Sequence, residues 1–216
     1  MIQRLAILIP FLFAACTYVG THAVRGSGVS TRVTRSVAPF DAIDASGAFE
    51  LQVTAGAKTA EVVVEGDDNI VTHFVTQVSG STLELHLESG SYEPKTPLVV
   101  RVSTPALENV QASGAIRIRA TGLSGAAFRA ELSGASHLRA AGTVDRAHVS
   151  SSGACKVEAF DLAAARVELE LSGASKAEVS ASELLDVQAS GASTVRYRGK
   201  PEVKTSTSGA SSVAPE

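Results

Sequence analysis

The chain contains no tryptophan, and aromatic residues make up only 5% of it. A bulky core packed from rings is excluded, because aromatics dominate such cores. Gly, Ala, Ser and Val take their place, a composition that suits a thin, regularly stacked interior. Cysteine is almost absent, with two residues in 216. Positive charge is not in excess either: 19 Lys and Arg stand against 22 Asp and Glu, a net charge of −3. No basic stretch is interleaved with aromatics, so the electrostatic footprint of a nucleic-acid-binding protein is missing. The longest apolar run, Leu5 to Phe13, falls well below the roughly 20 residues a spanning helix needs. No stretch of ten or more residues reads as an amphipathic helix.

What the N-terminus does contain is an address. Met1 to Arg4 is a short basic region, Leu5 to Phe13 an apolar one, and Phe13-Ala14-Ala15-Cys16 places small residues just before a cysteine. This is the layout of a signal peptide, and it resembles a bacterial lipobox. The resemblance implies cleavage before Cys16, a signal over residues 1–15, and acylation of Cys16 as a membrane anchor; several acyl chains anchor stably where one does not. Loss of Arg4 with the signal would take the net charge from −3 to about −4 by side-chain counting. Thr17, where Asp would signal inner-membrane retention, points by the same resemblance to the outer membrane of a bacterial envelope. With Cys16 carrying lipid, Cys155 has no disulfide partner. Residues 16–35 read as the lipidated cysteine and a flexible tether, with Arg25, Arg32 and Arg35 as solvated linker charges. Residues 36–216 read as one domain.

The dominant feature of that domain is Ser-Gly-Ala, which occurs at Ser46-Gly47, Ser113-Gly114, Ser133-Gly134, Ser152-Gly153, Ser172-Gly173, Ser190-Gly191 and Ser208-Gly209. The last six starts are 20, 19, 20, 18 and 18 residues apart. A period near 19 over this distance marks a solenoid, each repeat one coil stacked on the next. Aligned on Ser, the position five later is apolar throughout: Leu51, Ile118, Leu138, Val157, Ala177, Val195, Val213. The position four later is polar throughout: Glu50, Arg117, His137, Lys156, Lys176, Thr194, Ser212. The same alternation precedes the motif, with Asp44, Gln111, Glu131, Ser150, Glu170, Gln188 and Ser206 two before it. Period-two alternation on both sides predicts two strands joined at a corner, with Gly supplying the backbone freedom of the turn. The expected fold is all-β, a parallel β-solenoid of the β-helix type. Its coils hold about 18–20 residues and rise about 4.8 Å each, and the expected hand is right.

Before the regular repeats, alternating stretches predict further strands at Phe49–Val53, Glu61–Glu65, Leu83–Leu87 and Leu98–Val102, separated by turns such as Gly66-Asp67-Asp68-Asn69. Because Ser46 fits the same columns, this segment reads as earlier, longer coils of the same solenoid, with antiparallel stacking left open. The order Arg35-Ser-Val37-Ala-Pro-Phe40-Asp-Ala-Ile43, Ala45-Ser-Gly-Ala-Phe49-Glu-Leu-Gln-Val53, Gly66-Asp-Asp-Asn-Ile70 and Leu83-Glu-Leu-His-Leu87, followed by the repeats, resembles the putative auto-transporter adhesin, head GIN domain family over roughly residues 36–213. The resemblance implies a β-helix-like, surface-exposed bacterial domain and supplies no catalytic residues.

Chemistry is harder to find. No Gly-x-Ser-x-Gly elbow occurs. His22, His73, His86, His137 and His148 form no pair at ligand spacing, and Cys155 has no Cys or His within four residues. His86 between Glu84 and Glu88 reads as a solvated face. Asp67-Asp68-Asn69 lacks the spaced acids of a calcium loop. Glu131 and Glu170 fall in one column about 9–10 Å apart, a separation of interest for polysaccharide cleavage, yet both read as surface charges. Cys155 shares a column with Ser136, Ser175, Ser193 and Ser211, so it reads as a buried, inert thiol. No cofactor, metal or catalytic residue is assigned.

The reading is a non-enzymatic, lipid-anchored envelope protein whose solenoid presents a surface for adhesion, ligand binding or self-association. The candidate binding column is Arg117, His137, Lys156 and Lys176. Candidate partners are the membrane, an envelope protein or glycan, and a second copy at the open solenoid edge, where Pro201 and Pro215 blunt pairing. Two alternatives stay open: an enzyme acting on envelope polysaccharide, and a structural or stress-related component without a specific ligand.

Overall fold

The computed structural model describes residues 23–216, so the signal peptide and Cys16 lie outside the described residues. The chain folds as a parallel β-solenoid of about five turns, 70% strand and 2% helix. No helix among the described residues is long and apolar enough to cross a membrane.

The elements in chain order are β1 (Val24–Arg25), β2 (Ser30–Ser36), β3 (Ala42–Gly47), β4 (Glu50–Ala55), β5 (Glu61–Asp67), a single helical turn α1 (Asp68–Val71), β6 (Phe74–Ser79), β7 (Thr82–Leu87), β8 (Tyr92–Glu93), β9 (Val99–Thr104), β10 (Asn109–Gly114), β11 (Arg117–Gly134), β12 (His137–Gly153), β13 (Lys156–Gly173), β14 (Lys176–Ala189), β15 (Thr194–Arg198), β16 (Glu202–Thr207) and β17 (Ser212–Pro215), of which β11 to β14 are the long strands that bend around the stack. Within β12 the inward residues are Leu138, Ala140, Val144, Ala147, Val149 and Ser151. Their period of two breaks between Ala140 and Val144 and again between Val144 and Ala147, and the Ser-Gly-Ala corner follows Ser151. Each coil therefore closes by two bends inside the strand and one corner between strands. Stacking puts Leu138 over Val157 and Val149 over Leu169, and each such side chain is buried. Burying one is worth about 1.5–3 kcal/mol.

The corners stack through the backbone. Ala174 N donates to Gly153 O at 2.8 Å and Ala154 N to Gly134 O at 2.8 Å, each reaching the coil before. Gly173 has φ +85°. A Cβ added there would lie 2.5 Å from that same Gly153 oxygen, so the corner excludes a side chain both by conformation and by space. The serine three after the motif satisfies the remaining carbonyls. Ser136 Oγ lies 3.0 Å from Ser133 O and 3.4 Å from Gly114 O, and Ser175 Oγ repeats the pattern at 3.3 and 3.4 Å. Cys155 occupies this slot, buried, with Sγ 3.5 Å from Ser152 O. Burial pushes its thiol pKa up, which agrees with an inert group.

The N-terminal layers do not follow chain order. β3 lies between β10 and β7, all parallel, and β4 lies between β11 and β9. The coil carrying Ser46 is thus inserted between the β7–β9 layer and the regular repeats. Beyond it the pairing turns antiparallel: β6 on β7, β5 on β9, and β2 on β5. These are not simply earlier coils of one spiral. Of these pairs only β6 and β7 are joined by a short connection, Gly80-Ser81, which returns the chain as a hairpin where a parallel crossover would need a longer link.

The tether expected over residues 16–35 is also corrected from residue 23 onward. β1 pairs with β8 and β2 with β5, and three interactions fix this segment. The Asp67 carboxylate accepts from Gly28 N (2.8 Å), Lys95 N (2.8 Å) and Thr96 N (3.0 Å), and these hydrogen bonds hold its pKa below the usual range. Arg35 donates to Phe74 O (2.5 Å), Thr76 Oγ1 (2.7 Å) and Val71 O (3.0 Å). Arg25 and Arg32 pair with Glu93 and Glu65. All three arginines are structural here. Gly66–Asn69, expected as a turn, ends β5 and starts α1.

Candidate ligand-binding face

The candidate column is a true ladder. Glu50 pairs with Arg117, Arg117 with His137, His137 with Lys156, Lys156 with Lys176, and Lys176 with Thr194. Parallel pairing at about 4.8 Å per strand places one such side chain per coil on the same outward face.

A second ladder runs two residues further along each strand, and the sequence reading did not single it out. It joins Gln52, Arg119, Arg139, Glu158, Glu178 and Arg196 in register. Its signal was present in the sequence as the position six after each Ser, which is polar from Gln52 through Arg196. The charges there run in blocks along the stack, two arginines, then two glutamates, then an arginine, so no single residue type marked it.

Together the two ladders separate into a neutralised half and a basic half. At the later coils, Lys176 Nζ meets Glu178 Oε1 at 2.6 Å, and Lys156 meets Glu158. Arg139 Nη2 also reaches Glu158 Oε2, at 2.7 Å, and His137 Nε2 lies 3.3 Å from the same oxygen without hydrogen-bond alignment. Lys156 chiefly, with Arg139 and His137, holds the Glu158 carboxyl at about 2 against the opposing effect of burial. At the earlier coils, Arg117 and Arg119 are exposed and form no ion pair among the described residues. Of Arg117, Arg119, Arg139 and Lys156, only Arg139 and Lys156 are paired, both with Glu158, while Glu50 opposite Arg117 accepts from Gln52 Nε2 at 2.8 Å. A shallow hollow of about 230 Å³ lies among Glu50, Arg117, Arg119, His137, Arg139 and Glu158. Planar guanidinium groups presented this way suit bidentate contacts with carboxylate, sulfate or phosphate groups.

The opposite run of each coil, leading into the corner, carries hydroxyls and acids. Glu131, Ser150, Glu170, Gln188 and Ser206 are in register, as are Ser133, Ser152 and Ser172. Two shallow grooves of about 350 and 380 Å³ follow these rows. Glu131 and Glu170 stand two coils apart with Ser150 between, as expected, and Glu131 is engaged by Arg129 Nε at 2.8 Å. Of the other expected positions, His86 Nδ1 lies 3.0 Å from Leu87 O, and Glu88 pairs with His73 at 2.9 Å.

The fold and this face define a class: a parallel β-solenoid with an antiparallel N-terminal cap, displaying side-chain ladders on its outward faces. A family model described as putative auto-transporter adhesin, head GIN domain, matches residues 39–201, and the chain belongs to that family. Solved structures share the fold. A putative adhesin from Bacteroides fragilis superposes with a TM-score of 0.73 at 20% identity, covering 90% of this chain and 100% of that one. A putative adhesin from Parabacteroides merdae gives 0.58 at 16% identity, covering 90% and 99%. A protein from Parabacteroides distasonis, described as a putative lipid binding protein, gives 0.55 at 19% identity, covering 90% and 100%. No curated protein matches the sequence at a significant level. Membership of an adhesin-like family is consistent with a non-enzymatic role at the cell surface.

Proposed function

We propose that this protein is a lipid-anchored, non-catalytic component of the bacterial envelope that binds anionic polymers through the face bearing Arg117, Arg119, His137, Arg139, Lys156 and Lys176. The observation that carries the reading is the pair Arg117 and Arg119. They are exposed, on one strand and one face, and without a carboxylate partner among the described residues. Lys156 and Lys176 in the same ladder are neutralised by Glu158 and Glu178. A repeating anion such as a uronate chain could meet arginines on successive coils, and no side chain would have to move far to receive it. Acylation at Cys16 would hold the face outward from the outer membrane, with residues 17–22 between lipid and domain.

The test is affinity for polygalacturonate against dextran. Binding to the acidic polymer, weakening with salt, is expected. The double variant Arg117→Ser/Arg119→Ser should lose about tenfold or more, as charge-assisted hydrogen bonds contribute about 1.5–3 kcal/mol each. Equal binding to dextran, or unchanged affinity in the variant, would count against the reading. The anchor is tested separately: Cys16→Ser should release the protein from membranes, and continued attachment would remove that part of the proposal.

A second reading, self-association, is favoured by one observation. β16 is exposed along its whole length and Val203 on it is 38% exposed. A mass that rises with concentration in light scattering, and falls on Val203→Lys, would support it.

A further inference from the structure

We propose that His148, Glu168 and Glu170 form a site for a divalent cation of the zinc class, on the run of the coils that leads into the Ser-Gly-Ala corners. His148 on β12 and Glu168 on β13 are directly opposed in the parallel ladder. Glu170 is two residues beyond Glu168, so it projects from the same outward face. One ligand atom from each of the three lies within 4.8 Å of the others.

The geometry is close to what zinc requires. Zn–N and Zn–O bonds of about 2.0–2.2 Å in a tetrahedron put neighbouring ligand atoms roughly 3.3–3.5 Å apart. His148 Nδ1 and Glu168 Oε2 are 3.1 Å apart. Glu170 lies within 4.8 Å of both, so it has at most about 1.5 Å to close, which rotation about its side-chain bonds supplies. The imidazole is largely buried, 20% exposed at its side chain. Among the described residues Nε2 is shut off from solvent and has no partner, so Nδ1–Glu168 is the one polar contact that orients the ring. Nδ1 is the ring nitrogen turned toward the carboxylates. One imidazole and two carboxylates form a borderline set, which suits zinc or manganese better than calcium, a cation that takes six to eight oxygens.

Arg129, opposite His148, is taken by Glu131 at 2.8 Å, and Arg166 pairs with Glu183 at 3.4 Å. Arg146 lies at the bend beside Arg166 and is the remaining nearby cation. Asp186 opposes Glu168, and Gln188 opposes Glu170, adding an acid and a further oxygen one strand away. Glu170 itself forms no ion pair among the described residues. Two carboxylates side by side on one strand repel, and a bound cation would relieve this more fully than a single imidazole.

The experiment titrates metal-stripped full-length protein with zinc, by calorimetry and by competition with a chromophoric chelator. One saturable zinc site is expected, with manganese weaker and calcium weaker still. His148→Ala and the isosteric Glu168→Gln should each lower zinc affinity by at least about tenfold, since even outer-shell partners of metals cost about 10–100-fold. His73→Ala, which removes a His–Glu pair with a single carboxylate, should leave affinity unchanged. Thermal melts establish that each variant is folded. The proposal is overturned by no saturable zinc uptake up to about 1 mM, by wild-type affinity in folded Glu168→Gln or His148→Ala, or by loss that follows His73 instead. These residues are not on the Arg117 face, so neither outcome bears on polymer binding.

Discussion

Gly173 and Gly47 occupy the same place in the same motif, yet they face different neighbours. Gly47 has φ +117° and nothing within 4 Å of an added Cβ, because the layer beneath it has no Ser-Gly-Ala corner; Gly173 has φ +85° with Gly153 O at 2.5 Å. Gly47→Ala should therefore cost only the backbone strain, about 1–2 kcal/mol. Gly173→Ala should cost at least about 3 kcal/mol, because the carbonyl it strikes also accepts the corner hydrogen bond. Denaturant unfolding of the two variants decides this, and equal losses would mean that stacking at the corner is not what fixes glycine. Ser151 offers the opposite case. It is buried between Leu132 and Leu171 in register, and its Oγ has no partner. Ser151→Ala should raise stability by about 1 kcal/mol, since an unsatisfied hydroxyl is removed and little volume is lost. A lower unfolding midpoint would show that the hydroxyl is satisfied by water.

At the scale of strands, the paired ladders of β11 to β14 connect sequence to electrostatics. Glu158 is the carboxylate around which Lys156, Arg139 and His137 gather, 17% exposed at its side chain. Its folded pKa of about 2 lies below the usual 4.5. The folded state thus binds fewer protons than the unfolded one between these values. Its contribution to stability is complete above about pH 4.5 and is lost as pH falls toward 2. On an open face this should amount to about 1 kcal/mol. Glu158→Gln should lower stability by that amount at pH 7 and flatten the acid dependence between pH 4.5 and 2; an unchanged acid limb would contradict the pairing. The first ladder was legible because each Ser marks its register and the position four later is polar every time. The second column is polar from Gln52 to Arg196 but ends in the apolar Ala214, so it does not run through all seven repeats as the first does. His148 and Glu168 are 20 residues apart, so local ligand spacing could not pair them, whereas a one-period offset does. β2 was missed for a related reason. It is an edge strand of mixed burial whose partners, Glu65, Asp67 and the carbonyls of Val71 and Phe74, are all distant in sequence.

For the whole molecule, a stack in which each coil touches only its neighbours should not be uniformly stable. Leu138, Val157 and Leu169 belong to coils covered on both sides, and their burial is complete or nearly so. At one end the antiparallel strands β2, β5 and β6, with α1, lay Ile70, Val71 and Phe74 over the core. This cap was beyond the reach of the repeat, because period and column describe the coils and not what closes them. At the other end β16 and β17 each pair on one side only among the described residues, with β14 and β15. Hydrogen exchange should therefore be slowest in β12 and β13, intermediate in β2, and fastest in β16 and β17. The position of β2 in that order is the discriminating point. As an edge strand it would exchange as fast as β16 were it held by backbone pairing alone, and the Asp67 and Arg35 contacts should slow it. Asp67→Asn should then bring β1 and β2 up toward the rate of β16 while leaving β12 and β13 unaffected. Uniform exchange along the stack would mean that the solenoid opens as one cooperative unit, and that its two ends are not independently held.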